Sequence, residues 1–309
     1  MKGKNFCARN EQFYKLYSVL PKLSTKNSGI DNLIASFLDF ANARSLMQSK
    51  PSKSRPKKPS TSWEPVSKWY HQAVGKEGHY YHQSVILPKL LNLLNLNENS
   101  SILDVACGQG ILARHLPEKI SYVGIDIAPS FVKAAKQLDH NPRHEYLVGD
   151  AIKPYQVDQK KFSHATLILA VQNIERPDLV FKNVSAALAE DGLFIIVMNH
   201  PCFRIPRQSS WGVDENKKLQ YRRLDSYASA QRIPIQAHPS EGSKSSETWS
   251  FHYPLSSYTR WLHEAGFVTE FLEEWCSDKV SEGKMAKMEN RSRDEFPLFL
   301  TLIARKKGR

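Results

Sequence analysis

Between residues 101 and 198, short apolar runs alternate with segments whose apolar residues recur every three or four positions. The runs read as strands over 101–106, 121–126, 144–148, 163–171 and 193–198. The spaced segments read as helices over 110–116, 129–138 and 177–189, the last opened by Pro177. Strand followed by helix, repeated, predicts a parallel sheet covered by helices on both faces. A turn, Glu190-Asp191-Gly192, precedes the fifth strand. From Asn199 to about Tyr253 the periodicity lapses, which reads as a long irregular insertion (199–254). A helix over 255–265 ended by Gly266, a strand over 267–274 and a last strand from Phe296 to Ala304 close the chain. The connection between those strands is too polar for a buried crossover, so the last strand is expected to run antiparallel. The expected fold is therefore α/β, a seven-stranded, mostly parallel sheet with an antiparallel last strand.

The pattern changes upstream of this unit. Residues 62–98 form a helical lead-in rich in aromatics, from Trp63 to Leu94. Residues 48–62, QSKPSKSRPKKPSTS, carry three prolines and no hydrophobic side chain, so they read as a linker. Before it, Ile30, Leu33, Ile34, Phe37, Leu38 and Ala41 fall at helical spacing, predicting an amphipathic helix over Ile30–Met47. The expected division is a basic extension with its linker at 1–61 and a folded domain at 62–309.

Charge sharpens that division. The chain carries +12 overall, and residues 1–60 hold twelve Lys/Arg against three acids. Such an extension either solubilises the chain or holds phosphate groups. With 309 residues, 41% hydrophobic and only 14 Gly and 17 Pro, the chain is neither disordered throughout nor collagen-like. No uncharged apolar run approaches the ~18 residues of a membrane span. Cys7, Cys107, Cys202 and Cys276 lie far apart without a C-x-x-C pair, against a disulfide framework or a zinc cluster. No metal is expected, and the absence of a signal pattern at the N-terminus adds to an expectation of a cytoplasmic protein.

The sharpest chemical signal is Ile102-Leu103-Asp104-Val105-Ala106-Cys107-Gly108-Gln109-Gly110, an apolar strand ending in a small-residue turn. Glycines there let the backbone approach a ligand without an intervening Cβ. Asp126 ends the second strand and is placed to accept the hydroxyls of a ribose, while Gly149-Asp150 ends the third. Ligands of open α/β sheets bind at these carboxyl edges, so Asp104, Asp126 and Asp150 are expected to share one crevice. Gly108, Gly110 and Ala113 also satisfy G-x-G-x-x-A, which makes a nicotinamide site the rival reading. Against it, Asp104 would crowd a pyrophosphate, whereas it suits a ligand bearing an ammonium group.

Asp104-x-x-Cys107-Gly108-x-Gly110, Asp126 and Asp150 resemble the class I S-adenosylmethionine-dependent methyltransferases, in particular their small-molecule, methyltransferase-domain type, over Ser101–Ala304. The resemblance implies a Rossmann-like sheet and S-adenosyl-L-methionine as cofactor. It places the Ala106–Gly110 loop against the methionine moiety, Asp126 at the ribose hydroxyls, and Asp150 with Ala151 at the adenine. Ile127 and Ala170 complete the implied cofactor set. Ala106 departs from the family, which usually has its first glycine there, although a small residue is kept. The lead-in, with Trp69-Tyr70 and Gly78-His79-Tyr80-Tyr81-His82, is similar to the N-terminal lid of small-molecule members.

Methyl transfer of this class is an in-line displacement in which positioning supplies much of the acceleration. Where the acceptor carries a proton a base helps, and His200, just past the fifth strand, is the candidate, followed by Tyr80 and Tyr81 of the lid. Arg204, Trp211 and Tyr227 in the insertion are candidates for gripping a planar or anionic substrate. Val171-Gln172-Asn173-Ile174 lacks the Asn/Asp-Pro-Pro-aromatic motif of amino-directed nucleic-acid methyltransferases, and the Pro-Cys of cytosine enzymes is also missing there. A small-molecule acceptor is thus expected. The alternatives are an RNA-directed enzyme using the basic extension and a binding module without chemistry.

Overall fold

A computed structural model of the chain describes residues 63, 64, 67, 74–157, 161–236 and 247–308. The basic extension, the helix expected over Ile30–Met47, the linker, and Trp69-Tyr70 lie outside them. In chain order the strands are β1 (Ser101–Val105), β2 (Ser121–Asp126), β3 (His144–Val148), β4 (Phe162–Ile168) and β5 (Leu188–Asn199). Two hairpins follow, β6 (Ser209–Asp214) with β7 (Leu219–Leu224), and β8 (Gln231–Gln236) with β9 (Glu247–His252). Strands β10 (Phe267–Trp275) and β11 (Phe299–Lys306) complete a seven-stranded sheet ordered β10-β11-β5-β4-β1-β2-β3. Neighbours from β5 through β3 pair parallel, and β11 runs antiparallel to both β5 and β10. This is the seven-stranded, mostly parallel sheet expected from the pattern, and it is Rossmann-like as the resemblance implies.

Alternation along the strands sorts side chains into two apolar layers. On β5, Phe194, Ile196 and Met198 enter one layer while Leu193, Ile195 and Val197 enter the other. The first is covered by α3 (Pro177–Ala187) and α4 (Leu255–Glu264), through Phe181, Val184, Tyr258 and Leu262. The second is covered by α1 (Leu87–Leu94) and α2 (Pro129–Leu138), through Leu90, Leu94, Val132 and Ala135. The order reverses between β1 and β4, leaving a crevice at the carboxyl ends of the central strands.

The structure departs from the sequence pattern at four places. The helix expected over 110–116 shrinks to a 3-10 turn, Ala113–His115, because Gly110 has a left-handed backbone (φ 72°) and the Gln109 and Gly110 carbonyls go to the Arg114 side chain. The Glu190-Asp191-Gly192 turn is absorbed into β5, with Asp191 left-handed (φ 59°). The insertion is ordered as two hairpins; β6 and β7 have no buried residue on either face, so they carry no alternation to read. The polar link before β11 contains α5 (Ala286–Glu295), a helix whose single buried residue is Ser292. Among the described residues no helix is long and apolar enough to cross a membrane, and no His/Cys/Asp/Glu group is arranged to hold a metal ion.

Candidate active site

The crevice opens into a cavity of about 580 Å³, within the roughly 300–1,000 Å³ usual for cofactor and small-molecule sites. Its floor is the loop that leaves β1. Ala106 there has φ 55°, a left-handed conformation that a Cβ penalises. The Cys107 N–H donates to Ile125 O at 3.0 Å and the Gly108 N–H to Asp126 Oδ2 at 2.9 Å, tying the loop to β2. Gly108 (φ 55°) faces open space: a Cβ built on it meets nothing within 4 Å. A ligand can therefore lie directly on this backbone. Replacing Ala106 with glycine, the residue its φ favours, should raise stability by about 0.5–1 kcal/mol in urea unfolding, since relieved strain outweighs added chain entropy. A loss of stability would remove the strain.

Asp126 is buried, and its two oxygens take the amides of Gly108 (2.9 Å) and Ala128 (2.8 Å). Burial pushes its pKa up while these two donors pull it down. Each oxygen accepts one amide and keeps a second lone pair, so capacity remains for hydroxyls from the cavity, which Asp126 lines. Asp150 lines the same wall and takes the Ile152 N–H at 3.2 Å, with Ile127, Ala151 and Ala170 beside it. Asp104, expected to meet a ligand ammonium, does not line the cavity. It accepts hydrogen bonds from Tyr122 (2.8 Å) and Thr166 (2.7 Å) inside the sheet, and burial raises its pKa to about 6. Gly110 also stands back, packed on Tyr146.

The far side of the cavity is built from four places: Trp63, Val74, His79 and His82 of the lead-in, Asn173 and Glu175 after β4, Asn199 at the end of β5 with Pro206 beyond it, and Ile235 and Ser250 of the second hairpin. Residues 78–270 match the family described as a methyltransferase domain. The chain belongs to this methyltransferase family. It is a class I, S-adenosylmethionine-dependent enzyme, and the open Gly108 backbone and the spare acceptors of Asp126 fit that cofactor. A relative in Schizosaccharomyces pombe, the uncharacterized methyltransferase C70.08c, is 28% identical over 203 residues, 63% of this chain and 70% of that protein. The S-adenosylmethionine-dependent methyltransferase from Mesorhizobium loti shares the fold with a TM-score of 0.55 at 23% identity, over 71% of this chain and 96% of its own. The PH0226 protein from Pyrococcus horikoshii does so with a TM-score of 0.53 at 18% identity, over 79% and 99%.

Several residues expected to act on the acceptor lie elsewhere in this methyltransferase. His200 is buried outside the cavity lining, with Nδ1 accepting the Cys202 N–H (3.2 Å) and Nε2 2.7 Å from Glu274 Oε1. With Nδ1 as acceptor, Nε2–H donates to the carboxylate, and no lone pair is left for a substrate proton. Burial lowers its pKa against the opposing pull of Glu274. His200 thus knits the ends of β5 and β10. Tyr80 turns outward to Asp278, and Tyr81, half-buried against the Phe299 ring, meets Ser277, both at 3.1 Å. The guanidinium carbons of Arg204 and Arg222 stand 5.4 and 4.9 Å from the Trp211 ring centroid, a stack outside the cavity lining. Tyr227 accepts the Leu255 N–H at 3.0 Å and contacts the His252 ring, again away from the lining.

The residues that line the cavity in their stead were visible only in part in the sequence. His79 and His82 stand in the lid motif beside the tyrosines, yet nothing in the order of residues says which ring faces inward. Ile235 and Ser250 belong to β8 and β9, where the apolar positions Ile233, Ile235, Trp249 and Phe251 alternate. That period of two is the signal that would have revealed the hairpin.

Proposed function

We propose that this methyltransferase methylates a small molecule held in the cavity beside the cofactor. The carrying observation is the lining of the acceptor side, which is enclosed by the lead-in and the second hairpin and poor in cations. Arg176 is the one Lys or Arg among the described lining residues, and its guanidinium already makes two hydrogen bonds to Asp178, at 2.8 and 2.7 Å. A nucleic-acid strand needs a run of Lys and Arg along its phosphates.

Bound S-adenosylmethionine supplies an electrophilic sulfonium methyl group. The Ala106–Gly110 loop presents bare backbone to the methionine moiety, Asp126 takes the ribose hydroxyls, and Asp150 with Ile127 and Ala151 borders the adenine. Asn173, Asn199 and Ser250 offer uncharged polar groups that orient the acceptor. His82 lines this compartment, and its Nδ1 has no hydrogen-bond partner. Burial first, then the neighbouring His79, holds its pKa near 4, so the ring is uncharged at neutral pH and keeps a lone pair. His82, in place of His200, is then the uncharged imidazole at this compartment and the candidate to receive the acceptor's proton. His200, Tyr80 and Tyr81 position the loops around it.

The basic extension favours a second reading, an RNA acceptor. Release of S-adenosylhomocysteine from S-adenosylmethionine, followed across a library of phenols, amines, thiols and carboxylic acids and across total RNA, separates the two. Turnover is expected with members of the library. Turnover with RNA alone, with retention on RNA that falls steeply as salt rises, would overturn the small-molecule reading.

A further inference from the structure

The strip from Val74 to His79 roofs the acceptor side of the cavity, and its backbone carbonyls are capped by side chains from other segments. Gln109 Nε2 donates to Gly75 O at 2.6 Å, Arg114 Nη2 to Lys76 O at 2.5 Å, and Gln83 Nε2 to Gly78 O at 2.7 Å. The same guanidinium donates through Nη1 to Gln109 O (2.5 Å) and Gly110 O (2.9 Å). Arg114 sits on the 3-10 turn that directly follows the cofactor loop, so a single planar fork joins two loop carbonyls to one roof carbonyl. Residues 75–79 lie in turns and irregular backbone, with left-handed Gly75 (φ 66°) and Gly78 (φ 97°), so little regular structure holds them. Segments of that kind open most easily.

We propose that Arg114 is a positioning residue that couples the roof to the cofactor loop, so that cofactor binding builds the acceptor compartment. The proposal rests on the cofactor lying against residues 106–110. A ligand on that loop holds the Gln109 and Gly110 carbonyls in the direction of Arg114. The guanidinium fixed by them is then already aimed at Lys76 O, and less conformational entropy remains to be lost when the roof orders. Gln109, buried at 1% exposure, adds a parallel tie from the loop to Gly75. The roof carries Val74 and His79 of the cavity wall and leads into His82, so its order decides whether the acceptor meets a formed pocket.

Hydrogen exchange of the full chain, with and without S-adenosylhomocysteine, tests the coupling. In the unsubstituted protein the ligand should slow exchange about tenfold or more both at 106–110 and at 75–82, the range expected when a locally opening segment is tied down. In Arg114→Ala, slowing at 106–110 should persist while slowing at 75–82 drops below about threefold. Arg114→Lys keeps the charge and the stem but has no fork to span both sets of carbonyls, so it should behave like Arg114→Ala and serves if the alanine variant does not fold. Gln109→Ala should lose only part of the effect. Equal slowing at 75–82 in the Arg114 variants, or none there in the unsubstituted protein, would overturn the proposal. No slowing at 106–110 in the unsubstituted protein would overturn it differently, by removing the cofactor from the loop.

Discussion

Replacing Asp126 with alanine is expected to weaken S-adenosylhomocysteine binding by about 1.5–3 kcal/mol, the worth of hydrogen bonds to a charged acceptor. That is roughly a tenfold to hundredfold rise in Kd by calorimetry. Two effects combine at this position. The carboxylate lines the cavity with lone pairs to spare, and it also holds the Gly108 and Ala128 amides at 2.9 and 2.8 Å. Its removal strands two donors at the edge of the pocket and frees the loop on which the ligand lies. Asp126→Asn separates these contributions: it keeps the shape and one acceptor but turns an NH₂ toward a backbone N–H, so it should lose affinity too. Asp150→Ala should cost less, because the Asp150 carboxylate is tied to the backbone only through Ile152 at 3.2 Å. Unchanged affinity in Asp126→Ala would take Asp126 out of the site.

What could be read from the sequence follows from which interactions are local. The seven strands and the cofactor loop declare themselves because each strand of the sheet buries its own residues, as Leu103 and Val105 do on β1, in a pattern fixed by neighbours in the chain. Asp126 and Asp150 are legible for the same reason, since the end of a strand is a position in sequence as well as in space. Asp104 looked equivalent, yet Tyr122 and Thr166, distant in sequence, claim its two oxygens. The same holds at His200, where Glu274, from β10, occupies the nitrogen that a general base would need. Rings and guanidiniums in the insertion suggest a substrate grip, but the Arg204 and Arg222 guanidiniums stand against the Trp211 ring, and Arg222 donates to Phe203 O and Ser209 Oγ. Chemistry-bearing side chains are thus least predictable where partners arrive from another strand.

The largest loss of stability is expected from Gly110→Ala. A Cβ at this position would stand 2.6 Å from the Tyr146 hydroxyl and 2.8 Å from its ring Cε1, and the backbone is left-handed at φ 72°. Left-handed strain costs about 1–2 kcal/mol for a residue with a Cβ, and overpacking a tight contact typically adds about 1–3 kcal/mol. Tyr146 has little room to give way, because its hydroxyl donates to Asp139 and its ring lies against Tyr122 and His144 shares the same carboxylate. Together these give a loss of about 2–5 kcal/mol, or a Tm lower by roughly 5–15 °C for a domain of this size. Gly108→Ala provides the contrast. Its φ of 55° brings similar strain, yet its Cβ meets no protein atom and projects where the ligand is expected to lie. It should therefore lower stability by only about 1–2 kcal/mol while weakening S-adenosylhomocysteine binding far more than Gly110→Ala does in the folded fraction. Adding Tyr146→Phe to Gly110→Ala should recover part of the lost stability, since removing the hydroxyl relieves the 2.6 Å contact and leaves the 2.8 Å one, whereas adding it to Gly108→Ala should leave the binding defect in place. If the two alanine variants instead lost stability and affinity in the same proportion, the division of this loop into a ligand-facing glycine and a core-facing glycine would be wrong.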